Sequence, residues 1–543
     1  MVLLESKLAV VGYPDAPLFN KQTHASSNKI APSRPCNTYS SSPPTVKKPP
    51  RAIIFDLGDV LFQWSARTTT TIPARKLRDI LSTSIWHSYE RGEISRDECF
   101  EQSAQRFSLE AHEIAEAFTQ ARASVQPDHD IVAFLKELKA DPAVEVYAMS
   151  NIGQEDYEDV LEGRPEGDPM WLPGLFDNVF SSAGAGHRKP ERAFYQQVLD
   201  QIGHVGQDVM FIDDKEENIR AARGLGIHGV VFKNGQATVD MLKAILYSPV
   251  GQGWRYVYQN ANTCNSKTET GVAFADTFAK LLTADTLQDQ TLINLSWGTG
   301  ETWNFFADGD VPALVPGGVF PDDLDTTSLA LQVLPPSRDG LVTSVLDRMA
   351  ACANADGTFM TYFDPERIRI DPIVSANILG CFYSFSRGHL FPKTLDMVHE
   401  FIRGRSYLPN GTKYYPSPDV CLFFLSRLLD APPENDSTGL RQRLAPLLAT
   451  QVRERIQASL MGGDQSRGTA LDIACRILSS AQVGIPTRDY EHERRALLEL
   501  QAGDGSWETG WIYQYGSTGI KIGNTAVTTA IAVKALQVMS ETD

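Results

Sequence analysis

At 543 residues, of which 42% are hydrophobic, the chain is long enough for two or three domains, each with its own core. Its formal charge of −17 argues against a nucleic-acid partner, whose phosphates demand a basic face, yet allows an anionic small substrate held by a local cation or a metal. No stretch is apolar for long enough to insert stably in a bilayer. Seven scattered cysteines without a CxxC pair fit a reducing, cytoplasmic setting without structural zinc.

The first residues, Met1-Val-Leu-Leu-Glu-Ser-Lys-Leu, carry charge too early for a signal-peptide core. Residues 20–50 are dominated by Ser, Thr, Pro, Asn and Lys and cannot bury a core, so 1–50 is expected to be a disordered leader. From Arg51 short apolar runs alternate with amphipathic ones. Strands are expected at Ala52–Phe55, Val144–Met149, around Phe180 and at Val209–Ile212, with helices such as Ile131–Leu138 and Arg192–Leu199 between them. That alternation predicts a parallel, doubly wound α/β domain over 51–245, with a helical insert at about 70–125 after the first strand. Beyond about residue 246 the strand signal fades. The remainder, 246–543, is helical in pattern, broken by Gly and Pro turns and rich in aromatics, as expected of an all-α barrel. No short-period repeat is visible.

Four polar signals fall in order at strand ends or helix starts of the first domain. They are Asp56-Leu-Gly-Asp59, Ser150-Asn151, Arg188-Lys189-Pro190 and Asp213-Asp214-Lys-Glu-Glu-Asn218. In open parallel sheets ligands bind at the carboxyl ends of strands, so Asp56 is well placed for chemistry. Order and chemistry together resemble the haloacid dehalogenase-like superfamily, mainly phosphatases, with the insert as a cap. The resemblance implies that Asp56 attacks phosphorus and forms an aspartyl-phosphate. It implies that Ser150 and Asn151 meet the phosphoryl group and that Lys189 offsets its charge. Mg²⁺ would be held by Asp56, the Gly58 position and Asp214, with Asp213 in support. One departure stands out. The superfamily's phosphatases usually place a second aspartate two residues after the nucleophile, as the acid for the leaving group; here that position is Gly58. Loss of phosphate from a diphosphate needs less of that help than loss from an alkoxide. Asp213-Asp-Lys-Glu-Glu217 also looks like the metal motif of ionisation-type terpene synthases, but that motif belongs on a helix and this one follows a buried strand.

In the second domain, Asp323-Leu-Asp325-Thr-Thr327 sits among apolar and aromatic residues. An acidic helix start accounts for it, since Asp before Thr-Thr is good N-cap chemistry. The run also resembles the DxDTT form of the acid motif in class II terpene cyclases. Such an acid must stay neutral near pH 7 in a dry cavity, and burial beside another carboxylate raises a carboxyl pKa by several units. The resemblance implies that Asp325 donates the proton, with Asp323 as its orienting partner. Asp356-Gly-Thr-Phe359 and Gln501–Trp507 look like the turns of cyclase barrels, and Asp371–Asn377 and Tyr515–Asn524 are similar to other pieces of them. The aromatics include Trp297, Trp303, Phe305, Phe306, Tyr362, Phe382, Tyr383, Tyr414, Tyr415, Trp507, Trp511, Tyr513 and Tyr515. Where such a ring lines a dry chamber it stabilises a carbocation by about 2 kcal/mol or more. Lys413 and Lys521 are candidate diphosphate binders.

Acid-initiated cyclisation leaves a diphosphate intact, and a phosphatase on the same chain gives that diphosphate a fate. The pairing resembles drimane-type sesquiterpene synthases. It implies farnesyl diphosphate as substrate and a drimenyl or albicanyl bicycle as product, released as monophosphate or alcohol. Two other readings stay open: a cyclase with a phosphatase-like scaffold, or a prenyl-phosphate phosphatase with a non-catalytic helical domain. The isomer and the oligomeric state are not encoded in anything legible.

Overall fold

The computed structural model describes residues 48–63, 68–162, 174–307, 312, 315, 319–432, 438–461 and 467–540. Of the expected leader, only residues 48–50 fall among them. The chain divides into two compact units, Met1–Leu246 and Tyr247–Asp543.

In the first unit the strands are β1 (Ala52–Phe55), β2 (Phe62–Gln63), β3 (Gln126–Pro127), β4 (Glu145–Ser150), β5 (Asn178–Ser181), β6 (Val209–Asp213) and β7 (His228–Val231). Five of them form one parallel sheet in the order β5-β4-β1-β6-β7. Its centre is buried on both faces, which is why β1 reads as an unbroken apolar run, Ala-Ile-Ile-Phe, and not as an alternation. On one face Ile54, Met149 and Phe211 pack against Phe194, Val198 and Ile219, from the helices Arg192–Ile202 and Glu216–Arg223. The strand order reverses at β1, with β4 and β5 to one side and β6 and β7 to the other. That is the switch point where open α/β sheets bind ligands.

The insert leaves and returns through the antiparallel β2–β3 pair, Phe62 opposite Pro127. Between them lie the helices Ala74–Leu81, Ser84–Glu90, Arg96–Phe107 and Ala111–Ala123. Thr83 caps the second by accepting from the Trp86 N–H, and Ser95 with Glu98 forms a capping box on the third. These helices bury a core of their own in which Trp86 stacks on Phe118 at 4.7 Å.

The second unit is helical. Among the described residues six helices pack in a closed ring: Thr277–Leu287, Leu324–Val333, Pro372–Ser384, Pro418–Arg427, Ala470–Gln482 and Thr525–Ser540, the last meeting the first. Each is buried nearly all round, as expected of helices with no solvent face. The helices Pro249–Asn260, Pro392–Arg403, Leu440–Met461 and Glu491–Glu499 bury one face only and pack outside the ring. A small antiparallel sheet, β8 (Ser266–Thr268), β9 (Ala273–Phe274), β10 (Trp511–Gln514) and β11 (Lys521–Gly523) in the order β10-β11-β8-β9, is an addition to the expected all-helical pattern. Strands of two to four residues are too short to show a period of two. No helix among the described residues is long and apolar enough to cross a membrane.

Candidate active sites

Asp56 leaves the end of β1 as its N–H donates to the Ile212 carbonyl of β6 at 2.9 Å. Its Oδ1 accepts from the Leu57 N–H at 2.7 Å and lies 2.9 Å from Lys189 Nζ. Lys189, only 1% exposed, donates at 2.7 Å to Asp213 Oδ2 as well. Asn151 clamps the Lys189 backbone from both sides: its Oδ1 accepts from the N–H at 2.7 Å and its Nδ2 donates to the carbonyl at 3.0 Å. Both polar ends of Asn151 are therefore engaged. From the end of the strand that carries Ser150, it positions the lysine. Ser150, at the end of β4, is fully buried and its Oγ has no hydrogen-bond partner. Arg188 ties this loop to the insert through Glu90, 2.7 Å away.

The carboxylates expected at the metal lie together. Asp213 Oδ1 accepts from the Lys215 N–H at 2.8 Å and from Asn218 at 3.0 Å, while Oδ2 accepts from Lys189 and Asn218. These contacts anchor Lys189 and agree with the supporting place expected of Asp213. Asp56 and Asp214 remain as carboxylate donors, with Gly58 in the turn between β1 and β2, its N–H 3.4 Å from Asp56 Oδ1. Oxygens of Asp56, Asp213 and Asp214 all lie within 4.8 Å of one another. Burial, reinforced by the charges of Asp213 and Asp214 against that of Lys189, holds the Asp56 carboxyl well above its ordinary range. Burial and the Asp213 charge push Asp214 up to about 7, and its Oδ2 is buried without a partner. Crowded negative charge and an orphaned carboxylate oxygen make an environment that a hard divalent cation relieves. The residues fit Mg²⁺.

In the second unit Asp323 is the N-cap of the helix Leu324–Val333. Its Oδ1 accepts from the Thr326 N–H at 2.7 Å and its Oδ2 from the Thr326 hydroxyl at 2.9 Å. Thr327 fastens the same turn, donating to the Asp323 carbonyl at 2.8 Å and accepting from the Trp303 N–H at 2.9 Å. Asp325, one residue into the helix, is held by other groups. Its Oδ2 is 2.6 Å from the Tyr415 phenol and its Oδ1 accepts from Asn377 Nδ2 at 2.9 Å. The groups that touch the Asp325 carboxyl are thus Asn377 and Tyr415, while Asp323 is engaged as the N-cap. Burial raises Asp325 to about 7 against the opposing donors Tyr415 and Asn377, and raises Asp323 to about 8 against Thr326.

Both carboxyls line a cavity whose other walls are mainly aromatic, among them Phe278, Phe305, Phe306, Phe320, Tyr362 and Tyr513. Phe278 and Phe320 were not singled out in the sequence. Of the aromatics that were, Phe382 stacks on Phe359 at 5.1 Å in the core, and the Trp507 indole donates to the Leu497 carbonyl at 2.7 Å. Lys413 is exposed beside the cavity lining, its Cε 3.1 Å from where a Cβ on Gly516 would sit. Lys521 is exposed on β11 next to Ile522, which lines the cavity. Lys521 itself is not among the residues that line the cavity.

Two family models match the chain: haloacid dehalogenase-like hydrolase over residues 50–226, and the sesquiterpene cyclase astC-like C-terminal domain over 250–385. Drimenol cyclase drtB of Aspergillus calidoustus is 39% identical over 90% of this chain and 88% of its own length. The chain belongs to the drimane-type sesquiterpene synthases. Sesquiterpene phosphatase astK of Aspergillus oryzae (strain ATCC 42149 / RIB 40) is 36% identical over 36% of this chain and 96% of its own length. The synthase is therefore a fusion of a phosphatase domain with a terpene cyclase domain.

Proposed function

We propose that the synthase protonates and cyclises farnesyl diphosphate to a drimane bicycle and then removes phosphate from the diphosphate it has carried through. The observation that carries this reading is Asp325, a buried carboxyl with a raised pKa, held by Tyr415 and Asn377 on the wall of an aromatic chamber. Asp325 delivers the proton to the terminal alkene; Tyr415 and Asn377 fix its orientation. The ring faces of the chamber stabilise the migrating charge, and Lys413 attracts the diphosphate at its lining. In the phosphatase domain Asp56 attacks phosphorus, Ser150 Oγ donates to a phosphoryl oxygen, and Lys189, anchored by Asp213 and Asn151, neutralises the charge. Mg²⁺ held by Asp56, Asp214 and the Gly58 carbonyl would supply charge neutralisation at the phosphoryl oxygens. The direct test is incubation with farnesyl diphosphate and Mg²⁺, with products analysed before and after an added phosphatase. A chain that leaves farnesyl diphosphate unchanged while hydrolysing simple phosphates contradicts the reading.

Chelation tests the phosphatase half. EDTA is expected to stop phosphate release, because the carboxylates of Asp56 and Asp214 then face the phosphate with Lys189 as their near counter-charge. Undiminished release of inorganic phosphate in chelator counts against the metal assignment.

The acid makes cyclisation depend on pH with a defined sign. Asp325 is active only when protonated, and its pKa in the folded protein is about 7. Bicycle formation should hold steady at lower pH and decline as pH rises through that value, by about tenfold per unit beyond it. A rate that instead climbs through neutrality, measured as kcat/KM for the bicycle, rules Asp325 out as the acid.

A further inference from the structure

The chamber contains a second carboxyl–phenol pair that initiation does not use. Asp276, 1% exposed, precedes the ring helix Thr277–Leu287 and caps it, its Oδ1 accepting from the Ala279 N–H at 2.9 Å. The cap engages one oxygen only. The other accepts from two hydroxyls, that of Ser266 at 2.6 Å and the phenol of Tyr513. Ser266 is fixed in turn by Asn524 Nδ2 at 3.2 Å. Asp276 lies behind the cavity wall and Tyr513 forms part of it, so the carboxylate reaches the chamber through the phenol. Phe424 and Phe278 stand between this pair and the acid: Tyr415 to Phe424 is 4.9 Å, Phe424 to Phe278 is 6.5 Å, and Phe278 to Tyr513 is 6.0 Å between ring centroids. The chamber thus has two polar stations separated by aromatic wall.

The two stations differ in how they meet the chamber. Asp325 lines it directly, whereas Asp276 reaches it through the Tyr513 phenol. Burial raises both carboxyls, Asp276 to about 6 against its Ser266, Tyr513 and Ala279 donors and Asp325 to about 7.

Resting on the cyclase reading above, we propose that Tyr513 takes the proton that ends the cyclisation, with Asp276 as the positioning residue that receives the phenolic proton. The C–H bond next to the cationic carbon breaks and its electron pair becomes the new C=C bond. The released proton bonds to Tyr513 Oη as the phenol's own proton moves to the Asp276 carboxylate. Solvent then takes the proton from Asp276 and restores one to Asp325 before the next cycle. Which neighbouring C–H faces Tyr513 sets which alkene isomer forms.

The test is the product ratio of Tyr513→Phe with farnesyl diphosphate, alongside wild type and Asp276→Asn. Phenylalanine keeps the ring that packs on Phe305 and Phe278, and asparagine still offers a cap oxygen to Ala279. Substrate consumption by Tyr513→Phe should stay within about tenfold of wild type, since Asp325 and its partners are untouched. The share of the main alkene relative to isomeric alkenes and water-captured bicyclic alcohol should fall by about a hundredfold, the low end for a positioned proton transfer. Asp276→Asn should shift the ratio in the same direction. A merely structural role would lower amounts and leave the ratio unchanged. Wild-type ratios in both variants overturn the proposal, and so does complete loss of substrate consumption by Tyr513→Phe, which would place the phenol in initiation. If wild type itself makes no bicycle, the cyclase reading fails and not this assignment alone.

Discussion

Asp325→Asn is expected to abolish the bicycle, lowering its rate of formation by about a thousandfold or more, while phosphate hydrolysis by the other domain continues. The amide is nearly isosteric with the acid and keeps an oxygen for Asn377 or Tyr415, so the helix start and the chamber should survive. What it lacks is a proton acidic enough to pass to carbon. Asp323→Asn serves as the internal comparison. Asn is as good an N-cap as Asp, so it can still accept from the Thr326 N–H, 2.7 Å from Oδ1 in the native turn. Its cost should be modest, through a loosened turn at Thr326. Gas-chromatographic assay of dephosphorylated products distinguishes the two variants. Near-normal bicycle formation by Asp325→Asn would falsify the acid assignment, and equal damage from Asp323→Asn would mean that the pair acts as one unit.

What was legible in the sequence was local. Asp-Leu-Asp-Thr-Thr announced both a cap and an acid because helix-start geometry and motif spacing operate within five residues. The apolar runs ending in Asp56, Ser150 and Asp213 were readable because a central parallel strand is buried on both faces and breaks off where the ligand sits. What holds those residues was not readable. Asn377 and Tyr415 reach Asp325 from 52 and 90 residues away, and no spacing rule connects a ring helix to the loop before another. Tyr415 stood in the sequence as one aromatic among many. Only closure of the ring separates it from Phe382, which packs in the core. The hold of Asn151 on Lys189 was hidden for a related reason: that clamp spans 38 residues. The two lysines were chosen on weaker grounds. Lys521 was selected by proximity to a motif, and its place on β11 beside the lining residue Ile522 belongs to a strand too short to be seen beforehand.

Asp56→Asn should separate the two chemistries in the opposite direction. The substitution removes the nucleophile at the end of β1 and leaves Asp325, Tyr415 and Asn377 as they were. Hydrolysis should fall by about four orders of magnitude or more, as when a nucleophile is removed from a catalytic unit. Cyclisation should continue, so the bicyclic diphosphate accumulates where wild type gives a product with at least one phosphate fewer. The extent of wild-type hydrolysis turns on Gly58. Without a carboxyl there to protonate a departing alkoxide, the first cleavage, which expels a phosphate, is easier than the second, and a monophosphate end point is expected. Lys189→Met offers a check that spares the nucleophile. It removes the ammonium that Asp56 and Asp213 share at 2.9 and 2.7 Å and should depress hydrolysis without restoring or abolishing cyclisation. Intact mass measurement of untreated products counts the phosphates directly. If wild type and Asp56→Asn yield the same phosphorylation state, the α/β domain is a scaffold and the bifunctional reading fails.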